Sequence, residues 1–90
     1  MTRYILRLTY VFGDHPVRYL YAHKSGIWYR DTKEIDAATR FYDLEIAKKY
    51  EEKVNRNPHY EFYSTSILSF DETVGEKLSG KEYLLHNVRG

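Results

Sequence analysis

Ninety residues with a formal net charge of +1, no cysteine and 42% hydrophobic side chains describe one ordinary folded domain. The near-neutral balance excludes a DNA mimic and supplies no strong field toward DNA or an anionic membrane. The missing thiols exclude disulfides, thiolate catalysis and Cys-based zinc sites. A chain this short buries roughly 60–70% of its unfolded surface, enough for one modest core.

Residues 3–11 alternate, with Tyr4, Leu6, Leu8 and Tyr10 on one face and Ile5, Arg7, Thr9 and Val11 on the other. Period two in aromatic and β-branched residues predicts a strand. Arg7 also interrupts the apolar stretch that a signal peptide needs. No run approaches the roughly 20 apolar residues of a membrane span. The chain is therefore expected to be cytoplasmic, with no membrane partner.

Gly13-Asp14-His15-Pro16 is turn chemistry. Residues 17–23 predict a second strand, with Val17, Tyr19 and Tyr21 opposite Arg18, Leu20 and Ala22. Lys24-Ser25-Gly26 is a hairpin loop whose glycine can supply a positive φ, and residues 27–30 predict a third strand. Residues 31–36 are polar and predict a loop; they lack the Gly and terminal Glu of a calcium loop.

Asp43 predicts a helix N-cap. Ile46, Ala47, Tyr50 and Val54 then recur at helical spacing as one apolar stripe. Glu45 with Lys49 and Glu52 with Arg56 are i,i+4 pairs in the favoured order. Asn57-Pro58 ends the helix. Residues 60–70 predict the longest strand, with Tyr60, Phe62 and Leu68 on one face.

The expected fold is α+β: a small antiparallel sheet in the order β-β-β-α-β, four or five strands, with one helix on one face. Residues 1–70 form the domain. Residues 71–90 form a loosely attached tail with one apolar cluster, Tyr83-Leu84-Leu85.

One helix covers only one face of a sheet, so an aromatic face is left over. Ten tyrosines, four phenylalanines and one tryptophan make this surplus large. The candidate binding residues are Tyr4, Tyr10, Tyr19, Tyr21 and Tyr29 with Arg7 and Arg18. Such rings either fill a small core or meet a partner, because Tyr, Trp and Arg dominate binding hot spots. A second candidate is the basic helix face of Lys49, Lys53 and Arg56. Three such charges can touch phosphates, although a solvated face is the simpler account.

The four histidines, His15, His23, His59 and His86, show no metal-ligand spacing. No nucleophile motif and no phosphate loop is present. No enzyme activity, cofactor or metal is expected.

The run from Tyr19 to Tyr50 resembles a pattern found in small uncharacterised proteins of Gram-positive phages, prophages and plasmids. The residues that carry it are Tyr19-Leu20, Gly26 and Trp28, Asp31, Ala38-Thr39-Arg40-Phe41, and Ala47. The resemblance covers about a third of the chain and implies a mobile-element origin. Physically it reads as packing: Ala38 and Ala47 let the helix approach the sheet, and Phe41 and Trp28 plug the gap. The function expected is that of an accessory protein that binds another macromolecule, a protein first. Inhibition of a host defence nuclease is one version. The alternatives are a single-stranded RNA or DNA binder using the aromatic face, and a homodimerisation module.

Overall fold

A computed structural model describes residues 1–71 and 86–88. The fold is α+β, with four antiparallel strands and one helix. The strands are β1 (Thr2–Tyr10), β2 (Val17–Ala22), β3 (Tyr29–Thr32) and β4 (Tyr63–Asp71); the helix is α1 (Leu44–Arg56). A two-residue segment, β5 (His86–Asn87), adds to the outer side of β4, giving the order β3-β2-β1-β4-β5. The expected tail lies mostly outside the described residues, including Tyr83-Leu84-Leu85.

Alternation along the strands sorts the core into two layers. On the helix side Leu6, Leu8, Leu20 and Ile67 pack with Ala47 and Val54 of α1 and with Phe41 and Tyr60. On the other side Ile5, Leu68 and Phe70 are buried with Ala38, and Tyr19 and Ile35 pack against them. So the side away from α1 is not wholly open. A 3-10 turn at Ile35–Ala37 brings Ile35 against this second layer.

The chain reaches α1 by passing through the sheet. β1 and β2 pair only where Arg7, Leu8 and Thr9 meet Tyr19, Arg18 and Val17. Beyond that point residues 39–41 fill the gap between them. The Thr39 amide donates to the Leu20 carbonyl at 2.9 Å, and Tyr4 and Phe41 exchange backbone bonds at 2.7 and 2.8 Å. The Thr39 hydroxyl accepts from the Ala22 amide at 2.7 Å and donates to the Ala22 carbonyl at 3.2 Å. Backbone groups that would otherwise be orphaned at the split are thereby paired.

Helix α1 starts where Asp43 caps it, its carboxylate accepting from the Glu45 amide at 2.9 Å. Its buried residues are Ala47, Glu51 and Val54. Two sequence expectations change here. Ile46 is exposed, and Glu51, 2% exposed, takes a place on the inner stripe. Glu51 is tolerated there because the Thr65 hydroxyl on β4 donates to it at 3.0 Å. Glu45 pairs with Lys48 at 3.5 Å instead of with Lys49, while Glu52 pairs with Arg56 as spacing suggests.

The fourth strand starts later than its alternation suggests. Pro58 opens a 3-10 turn, Pro58–Tyr60, in which Asn57 Oδ1 accepts from the His59 amide at 3.0 Å. Tyr60 therefore leaves the strand and enters the helix-side layer. Trp28 and Ala38 also move from their expected place. Phe41 and Ala47 do sit between helix and sheet, but Ala38 packs in the opposite layer and Trp28 stands outside on that same side.

Candidate interaction surfaces

The rings form two separate systems. The first runs along the helix side. Phe62, Phe12, Tyr10, Tyr63, Tyr60, Tyr29, Tyr50 and Phe41 follow one another at centroid distances of 5.1–6.4 Å. Offset and edge contacts at these distances are favourable. One end is core: Phe41 and Tyr60 are buried. The other end is outside: Phe12 is 54% exposed and Phe62 49%. Val11 and Val17 are exposed as well. A groove of about 490 Å³ adjoins this end, lined by Tyr10, Pro16, Val17 and Tyr63 with Arg18 and Lys33.

The middle of this chain is fixed by polar contacts. The Tyr60 hydroxyl donates to Asp31 Oδ1 at 2.9 Å, and Arg18 approaches Asp31 Oδ2 at 3.5 Å. The Tyr29 hydroxyl accepts from Asn57 Nδ2 at 2.9 Å. Burial, and then the Asp31 carboxylate beside it, holds the Tyr60 phenol well above the usual range.

The second system lies on the side away from α1, at the β2–β3 hairpin. Trp28 stacks on His23 with centroids 4.6 Å apart and planes 18° off parallel, and Tyr21 meets it at 5.8 Å. The Arg30 guanidinium lies over the Tyr21 ring at 5.1 Å. The hairpin tip is held by side chains. Ser25 donates its amide to His23 Nδ1 at 3.2 Å, and its hydroxyl accepts from the Ile27 amide at 3.2 Å. Gly26 takes φ +75°, which glycine adopts without strain.

The predicted binding residues therefore do not share a face. Tyr4, Tyr10, Tyr29 and Arg18 are on the helix side. Tyr19, Tyr21 and Arg7 are on the other. Tyr4 and Tyr29 pack on the inner layer. Arg18 is engaged by Asp31. Arg7 stands between Tyr19 and Ser66 across the sheet, and its Nε is buried without a hydrogen-bond partner.

The helix cations are partly used. Lys53 lies over the Tyr50 ring at 4.8 Å and Arg56 pairs with Glu52, while Lys49 is exposed. Sequence patterning missed Phe12 and Phe62 as outward rings, and it put Trp28, which is exposed, in the gap between helix and sheet. A cue for Phe12 was available, since it falls at the Gly13 turn beyond the strand. Phe62 has no such cue once residues 60–70 are taken as one strand.

Among the described residues, no group of three or more His, Asp or Glu side chains is placed to hold a metal ion, and no helix is long and apolar enough to cross a membrane. No family model, curated protein or solved structure matches the chain.

Proposed function

We propose that this protein acts by binding another protein through the outward end of the helix-side ring chain. The observation that carries this reading is the pair Phe12 and Phe62, in tilted contact at 5.5 Å and each about half exposed. Val11 and the groove over Tyr10 and Tyr63 extend the same apolar area. Exposed rings gathered around a groove mark interaction sites more than scattered single residues do. Exposed Lys33 at the groove rim suits a partner segment that carries an acidic residue beside its apolar anchor. In this reading the protein is a non-enzymatic accessory module, in keeping with its resemblance to small mobile-element proteins.

The test is affinity capture from a Gram-positive lysate with the wild type and with Phe12→Ser/Phe62→Ser, each checked for fold by circular dichroism. A protein retained by the wild type and lost from the folded double variant supports the proposal. The same retained proteins on both columns contradict it. Light scattering across a concentration series separates self-association, the homodimer outcome, from capture of a different chain.

A further inference from the structure

We infer a second binding site, on the outer face of the β2–β3 hairpin, whose ligand is a single-stranded nucleic acid. It is independent of the Phe12–Phe62 surface.

The near-neutral total charge conceals an uneven distribution. Strand alternation puts Arg3, Arg7 and Arg30 on the side away from α1, and both acidic residues of β1–β4, Asp31 and Asp71, on the helix side. Asp31 is further occupied by Arg18 and by the Tyr60 hydroxyl. Glu34 and Asp36 flank Ile35, which packs by Tyr19 on this side, and Asp31 lines an edge groove with Trp28 and Arg30. The hairpin half of the face thus carries Arg30, with Lys24 at the exposed tip, while Asp31, the one carboxylate of β2 and β3, is engaged by Arg18 and the Tyr60 hydroxyl.

The same half carries the second ring system. Trp28 is 45% exposed, and His23 covers only one face of its indole. Ser25, Gly26 and the His23 ring hold the tip, so the indole is oriented before any ligand arrives. Tyr21, under the Arg30 guanidinium, lies beside it. A platform of oriented rings flanked by cations is what unpaired bases need, since each base stacks on a ring while its phosphate meets a cation. A duplex offers no unstacked base, so it is a poor ligand here.

Trp28 is the only tryptophan in the chain, so its fluorescence reports on this site alone. Titration with a single-stranded ten-residue oligothymidylate at low salt is expected to quench it. Two phosphates of a single strand neutralised by Arg30 and Lys24 give a slope of log affinity against log salt of about −1.4. Arg30→Gln should reduce the magnitude of that slope by about 0.7. Trp28→Ala should weaken binding of a labelled oligonucleotide, read by anisotropy, by about tenfold or more. Phe12→Ser/Phe62→Ser should leave the titration unchanged, so the two proposed surfaces fail separately.

Four results would overturn the assignment: no quenching at low salt, equal binding of duplex, equal quenching by polyglutamate (an acidic protein segment as the true ligand), or a salt slope unaltered in Arg30→Gln. If Trp28→Ala does not fold, Arg30→Gln, at an exposed position, keeps the question decidable.

Discussion

Tyr60 shows how one side chain joins three parts of the molecule. Its ring touches Tyr29 of β3 and Tyr63 of β4, and its hydroxyl holds Asp31 from a turn that follows α1. Burial and the Asp31 carboxylate both favour the neutral phenol, so its pKa is raised in the fold. A group with a raised folded pKa contributes stability that is fully present below its unfolded pKa. That contribution is lost as pH climbs through the folded value. For a tyrosine the loss therefore begins above about pH 10. Tyr60→Phe should cost about 1.5–3 kcal/mol at neutral pH, the worth of a hydrogen bond to a charged acceptor. Its deficit relative to wild type should shrink as the pH is raised past about 10. Urea unfolding of both proteins at neutral and alkaline pH checks this; a deficit that stays constant or grows would contradict it.

Among the elements, the segment 39–41 has the most consequence for its size. It lets the chain cross from the Ile35–Ala38 side to the α1 side, and one hydroxyl satisfies both backbone groups of Ala22. Thr39→Val keeps the shape and removes the hydroxyl, leaving a partly buried donor and acceptor unpaired. The expected cost is about 2–4 kcal/mol, with Thr39→Ser close to wild type. Denaturant titration of the three proteins measures it. Equal stability of Val and Ser variants would show that the hydroxyl does not hold the split.

That segment also marks the boundary of what was legible. Period-two alternation is local, so β1 and β2 could be read directly, and so could α1 from its Asp43 cap and Asn57-Pro58 stop. The crossing depends on hydrogen bonds between residues far apart in sequence, and Ala-Ala-Thr-Arg-Phe carries no local sign of them. Tyr60 misled for a related reason: its alternation continues that of β4, but Asn57 and Pro58 close a turn around it. Helical spacing from Ala47 to Val54 admits Glu51 to the inner stripe, but its charge argues for the outside, and Thr65, the partner that tolerates it there, is fourteen residues away. For the candidate sites, the surplus of rings was visible in composition. Their division between two sides followed from pairing register and from the crossing, neither of which composition contains.

Across the whole molecule, the rings divide by task. On the helix side they pass from core to surface, so the inner members stabilise the fold and the outer pair, in the reading proposed above, is left for a partner. On the other side the first 3-10 turn covers Ile5, Leu68 and Phe70 but leaves the hairpin rings outside. The protein therefore presents two chemically different surfaces: an apolar end around Phe12 and Phe62, and an aromatic, basic hairpin around Trp28 and Arg30. The central claim is that the outward rings at Phe12 and Phe62 are kept for binding and are not needed to hold the fold. Equilibrium urea unfolding of Phe12→Ser/Phe62→Ser beside Phe41→Ala tests it directly. Half-buried rings should contribute about 1 kcal/mol each, so the double variant should lose about 2 kcal/mol in all, while Phe41→Ala loses about 3–5. A double variant that loses as much as Phe41→Ala, or fails to fold, would place those rings in the core and remove the reason to assign them a partner.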